Sequence, residues 1–132
     1  MNENKQLIQH VFAELGAGNS KPFTDVLADD VHWTIIGSTR WSRTFAGKAA
    51  VLAELLTPLR AQIDGRIQVT ARRFIAEDDL VVVEATGRST TKQGQPYNNT
   101  YCWIYRLANG KVRELTEYLD TALVEAALGE PV

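Results

Sequence analysis

The chain has 132 residues, 45% of them hydrophobic and 23% charged, with a formal net charge of −2. That composition describes one ordinary globular domain over residues 1–132, large enough to bury about two-thirds of its unfolded surface. There is no basic excess to hold nucleic acid or an anionic membrane, a single cysteine leaves no intrachain disulfide, and no apolar run nears the about 20 residues of a membrane span.

The start, MNENKQLIQHVF, is polar and then amphipathic, unlike a signal peptide, so a cytoplasmic location is expected. From Glu3 to Gly16, Leu7, Ile8, Val11, Phe12 and Leu15 draw one apolar stripe on a helix. Asn19 or Ser20 caps a second, short helix with Pro22 in its first turn and Phe23, Val26 and Leu27 inward. Asp29-Asp30 reads as a turn. Val31–Gly37 is β-branched and aromatic, hence a strand with Trp33 and Ile35 on one face and His32 on the other. A loop over 38–46 carries Trp41 and Phe45, candidates for a lid. A third helix runs from Gly47 to about Asp64, striped by Leu55, Leu59 and Ile63, kinked at Pro58 and stopped at Gly65. Strands follow at 66–76, 80–91, 97–107 and 112–120, and a last helix over 121–128 is capped by Asp120 or Thr121.

Helices first and a meander of strands after is an α+β pattern. A strongly bent antiparallel sheet wrapping the helices makes a cone, a barrel-like shape with room for a ligand where the third helix does not fill it.

The last two strands decide what that space contains. Asn109-Gly110 marks a hairpin. A two-residue loop would pair Trp103 with Thr116. A three-residue loop, Ala108-Asn109-Gly110, would pair Trp103 with Leu115, Tyr101 with Glu117 and Asn99 with Leu119. The second register is preferred because it gathers Tyr101, Trp103, Leu115 and Leu119 on one apolar face, with Glu117 among them. A carboxylate surrounded by aromatics is a chemical candidate. If Glu84, which follows the run Leu80–Val83, also points inward, two carboxylates share one cavity and their pKa values are pushed apart, giving an acid and a base at neutral pH. Alternatively Glu84 bonds Arg88, Arg72 or Arg73, or a tyrosine hydroxyl, and is purely structural. Asn99 and Tyr101 are candidate polar helpers, and Asp120 reads better as a helix cap. Two distant histidines and one cysteine make a metal site improbable, and no glycine-rich phosphate loop suggests a nucleotide, so no cofactor is expected. Cys102 alternates onto the opposite face of the sheet.

Five pieces of sequence carry a resemblance: LADDVHWTIIG, Gly47-Lys48, VVVEATG, GQPYNNTYCWIYRLANGKV and TEYLDT. In this order and spacing the chain resembles the nuclear transport factor 2-like superfamily, and within it the group of SnoaL-like polyketide cyclases, ketosteroid isomerases and limonene-epoxide hydrolases. The resemblance implies the helix-filled conical sheet, and a homodimer through the sheet's outer face. It also separates what is kept from what is lost. The ketosteroid isomerase base matches Ile35 or Ile36, and its protonated aspartate matches Tyr101 or Trp103. The hydrolase Arg-x-Asp pair matches Glu84 and Thr86, and its water-holding tyrosine and asparagine match Trp33 and Ile35. The last-strand acid of the hydrolases falls on Glu117; that of SnoaL-like cyclases matches Glu117 or Asp120. The implied function is cofactor-free acid/base chemistry on a small hydrophobic or polyketide-like molecule. The candidate catalytic residues are Glu117, Glu84, Tyr101 and Asn99. The pocket candidates are Trp33, Ile35, Trp41 and Phe45, then Leu55 and Leu59 from the third helix, then Trp103, Leu115 and Leu119. A binding protein without chemistry, and a dimeric partner module, are the alternatives.

Overall fold

Asn2 begins the fold by accepting the Lys5 N–H in its side chain at 3.0 Å, which caps α1 (Glu3–Gly16). The computed structural model describes residues 2–131. The α1 stripe buries Ile8, Val11 and Phe12. Phe12 is the hub of the core, its ring in contact with Phe23, Phe74, Trp103 and Tyr105 at centroid distances of 5.4–6.3 Å. The short α2 (Lys21–Asp25) follows, with Pro22 in its first turn as expected.

Six strands form one open sheet in the order β2-β1-β6-β5-β4-β3. They are β1 (Leu27–Ile35), β2 (Thr44–Ala46), β3 (Ile63–Glu77), β4 (Leu80–Thr91), β5 (Thr100–Ala108) and β6 (Lys111–Leu119). Neighbours are antiparallel except β1 and β6, which run parallel, so the sheet is mixed. The helices lie on its inner face, and α5 (Thr121–Ala127) closes the chain with Asp120 as its cap, accepting the Leu123 N–H at 3.2 Å.

Local details differ from the sequence reading, each for a physical reason. Asp29-Asp30 is not a turn but part of β1. Between Leu27 and His32 that strand advances five residues while its partner advances two, from Val112 to Glu114. In the excess stretch Asp29 and Asp30 are exposed, and Asp30 meets Arg113 in a two-pronged ion pair at 2.8 and 3.0 Å. The loop over 38–46 contains β2, in which Phe45 pairs with Trp33. Phe45 is therefore sheet core, 2% exposed, and not part of a lid. Gly65 is no helix stop: it lies inside β3 at its irregular start, with φ 79°.

The third helical run is continuous but changes pitch: α3 (Lys48–Ala50), a π-helical stretch (Val51–Leu56) and α4 (Thr57–Gln62). The Thr57 N–H reaches back five residues to the Leu52 carbonyl. Pro58 is the cause, since it has no N–H to give and its ring displaces the carbonyl four residues back. The wider turn sets Leu55 and Leu56 both inward, where both are buried.

The hairpin register is neither of the two considered. The turn is the two-residue one, with Asn109 and Gly110 at φ 53° and 73°, and Ala108 opposite Lys111. Beyond it, Leu107 pairs with Val112 but Arg106 pairs with Glu114, so Arg113 is an extra residue in β6. That bulge shifts every later pair by one. Trp103 faces Glu117, Tyr101 faces Leu119 and Tyr105 faces Leu115. The expected inner face results, by a different route from the three-residue loop.

Candidate functional site

The inner face of the sheet, α1, α4 and the π-helical stretch enclose a cavity of about 320 Å³. Its walls are mostly apolar. Trp33 and Ile35 come from β1, Tyr101 and Trp103 from β5, and Glu117 and Leu119 from β6. Leu55, Leu56 and Leu59 face them from the helical side, and Val124 and Leu128 close one end. Trp41 also lines it, held by its indole N–H donating to the Gly129 carbonyl at 2.7 Å. Trp41 is 3% exposed, so it is a fixed wall.

Glu117 is the sole carboxylate among the lining residues. It is 7% exposed. The Trp33 indole N–H donates to its Oε1 at 2.9 Å. Trp103, directly opposite in register, turns its own indole N–H toward the same carboxylate, though without the alignment of a regular hydrogen bond. Loss of solvent raises the Glu117 pKa from 4.5 to about 7; the two indoles hold it from rising further. The acid therefore titrates near neutrality. Among the described residues no cation is paired with it.

Two tyrosines stand beside it. Tyr101 stacks on Trp103 with centroids 4.5 Å apart and planes 10° from parallel. Tyr97 lies in the segment between β4 and β5 and lines the cavity as well. Burial pushes its pKa up to about 12 and raises that of Tyr101 well above the usual tyrosine value; each hydroxyl also feels the other and the Glu117 charge. Both remain neutral donors across ordinary pH. Gly87 makes the stack possible: a Cβ there would sit 3.0 Å from the Tyr101 ring.

The other candidates fall elsewhere. Glu84 does not point inward. It pairs with Cys102 in register on the outer face, and its Oε1 meets Arg73 Nε at 2.5 Å. The reason is strand alternation, since Val81, Val83 and Ala85 take the inner positions. The two-carboxylate arrangement is thus not assembled. Asn99 is 1% exposed but spent on the backbone. Its Oδ1 accepts the Thr100 and Asp120 N–H groups at 2.8 and 2.9 Å. Its Nδ2 donates to the Asp120 carbonyl and the Tyr97 hydroxyl, each at 3.2 Å. It ties β5 to the end of β6 and does not line the cavity. Phe45 and Leu115 are buried behind the wall rather than in it. The sequence reading gave Tyr97 no place among the pocket residues and overlooked the Trp33–Glu117 bond. The latter follows once β1 is known to run parallel beside β6. Among the described residues, no three His, Cys, Asp or Glu side chains cluster as metal ligands, and no helix is long and apolar enough to cross a membrane.

The family match covers residues 8–115 and is to the SnoaL-like domain. The chain belongs to that family. SnoaL-like proteins are part of the nuclear transport factor 2-like superfamily, and the solved structures agree. An NTF2-like protein from Burkholderia xenovorans LB400 superposes with a TM-score of 0.73 at 26% identity, covering 96% of each chain. A SnoaL-like polyketide cyclase from Jannaschia sp. CCS1 gives 0.75 at 19% identity, covering 98% of this chain and 93% of its own. TerC, co-crystallised with polyporic acid, gives 0.75 at 21% identity over 92% and 94%. No curated protein sequence matches the chain. This SnoaL-like domain has the small-molecule-binding fold of its family, with one acid facing the cavity.

Proposed function

We propose that this SnoaL-like protein binds a small, mostly apolar molecule and moves a proton on it with Glu117, without a cofactor. The observation that carries the reading is a single cavity carboxylate titrating near pH 7 between two indole N–H groups. A group with that pKa takes and returns protons with nearly equal ease. The ionised carboxylate removes a proton from a carbon next to a carbonyl, and the carbonyl oxygen becomes an enolate oxygen. The Tyr101 and Tyr97 hydroxyls, which line the same cavity, and the Trp103 N–H, buried without a regular hydrogen-bond partner, are the candidate donors to that oxygen. In a conjugated substrate, protonated Glu117 then returns the proton at another carbon of the dienolate, giving isomerisation; or the enolate carbon attacks a second carbonyl, whose π bond opens to an alkoxide that takes the proton back from Glu117, giving cyclisation. The similarity to a polyketide cyclase and to TerC favours oxygenated, ring-forming substrates.

The test is Glu117→Gln, assayed against a panel of polyketide-like carbonyl compounds by thermal shift and by product formation. Binding is expected to persist while turnover falls about 10²- to 10⁴-fold, the usual scale of one acid/base group. Turnover unchanged in the variant refutes the acid/base role. Ligand binding with no turnover in either protein favours the second reading, a binding protein. That reading draws on the internal pairing of Glu84 and Asn99, which leaves one acid without a partner acid.

We further propose a homodimer through the outer face of the sheet. Ile75, Val82, Ile104, Thr116 and Thr34 form one row across five strands in register. Ile75 is 53% exposed and Tyr118, beside the row, 44%. Light scattering is expected to give twice the chain mass, and Ile104→Lys the single mass. A monomer at micromolar concentration rejects the dimer.

A further inference from the structure

The exposure of the lining residues shows where the cavity opens. Trp33, Tyr97, Tyr101, Trp103 and Glu117 are buried, whereas Gly18, Ser20, Arg60, Gly65 and Arg66 are exposed. The mouth therefore lies between the turn after α1, the end of α4 and the start of β3. Apart from Glu117 deep inside, Arg60 and Arg66 are the only Asp, Glu, Lys or Arg side chains in the lining.

Neither arginine has a carboxylate partner among the described residues. Arg40, Arg43, Arg73, Arg106 and Arg113 do, while Arg72 and Arg88, which are also unpaired among the described residues, lie away from the cavity. Arg66 is nonetheless held in place. One Nη donates to the Leu15 carbonyl at 3.4 Å and the other to Gln68 Oε1 at 2.9 Å. Its guanidinium packs over Gly18, where a Cβ would lie 3.5 Å from Arg66 Cζ. Gly18 also has φ 96°, so glycine is favoured there twice over. A guanidinium fixed by neutral acceptors keeps its whole charge and its remaining N–H groups for something else.

We propose that the mouth is an anion site and that the ligand is an amphipathic carboxylic acid. Its apolar body fills the cavity and its carboxylate lies at Arg60 and Arg66. This rests on the reading of the cavity as a small-molecule site. The opposite orientation sets a carboxylate against Glu117, which repels it or must stay protonated. A carboxylate at the mouth stays hydrated on one side and meets two guanidinium groups on the other, so nothing charged is taken out of water unpaired.

The chain's three tryptophans, Trp33, Trp41 and Trp103, all line the cavity, so intrinsic fluorescence reports its occupancy. The probes are 5-cyclohexylpentanoate and its primary amide, neither of which absorbs where tryptophan does. At pH 7.5 and low salt the acid is expected to bind about tenfold more tightly than the amide, the scale of a charge-assisted contact at a partly solvated rim. The ratio is expected to fall toward one in the Arg60→Gln/Arg66→Gln double variant and in 0.5 M salt. Equal affinity for acid and amide in the unaltered protein overturns the anion site and leaves the cavity reading standing. A preference that survives the double variant but disappears in Glu117→Gln puts the acid at the floor and also overturns it. If neither probe quenches the tryptophans, the cavity reading fails and the anion site with it.

Discussion

Glu117→Gln is expected to stabilise the protein by about 3 kcal/mol at pH 8 and by under about 1 kcal/mol at pH 5. The folded-state pKa of Glu117 is raised from 4.5 to about 7. Below the unfolded value both states carry the proton and folding is not penalised. Between the two values the unfolded chain has released the proton and the folded chain keeps it, so stability falls as pH rises. Above about 7 the folded chain carries a buried anion and the loss is complete. Glutamine keeps an oxygen for the Trp33 N–H and has no charge to bury. Urea denaturation of both proteins at the two pH values measures the difference directly. A gap that does not change with pH contradicts the buried, neutrally titrating acid. The expected result bears on function too, because a residue that costs stability at physiological pH is more easily explained by what it does to a ligand than by what it does for the fold.

The second large effect is at Asn99. Asn99→Ala removes two acceptor contacts and two donor contacts at once, and leaves the Asp120 N–H and carbonyl and the Tyr97 hydroxyl short of partners. The expected cost is about 2–4 kcal/mol, read as a lower urea midpoint at unchanged slope. A cost below about 1 kcal/mol means water replaces the amide easily and the clamp reading is wrong. In the same variant Tyr97 loses its donor from Asn99, so the cavity wall is loosened together with the strand ends.

These two residues also show what the sequence could and could not disclose. The face of Glu117 was legible, because Leu115, Glu117 and Leu119 alternate and only one face of a sheet strand is buried. The role of Asn99 was not. A buried asparagine in an extended segment satisfies backbone or ligand equally well until the neighbouring strand end is placed. Glu84 was ambiguous for the same kind of reason. It follows four apolar residues without polar alternation, and only the pairing with Cys102 fixes its outward direction. Arg60 and Arg66 lie on different elements, and both line the cavity only because the helix end and the strand start border it. Local pattern announces faces; it does not announce which distant segments share a rim.

The extra residue at Arg113 has a consequence beyond this molecule. Everything C-terminal to it in β6 owes its inward or outward direction to that one insertion. Loss of a single codon there would leave turn, strand and composition almost intact while placing the acid outside the protein. In comparing relatives, a gap opened at the hairpin tip instead of at this position would exchange the interior and exterior of the last strand. Chain length at this one site, as much as the identity of residue 117, decides whether the acid lies in the cavity.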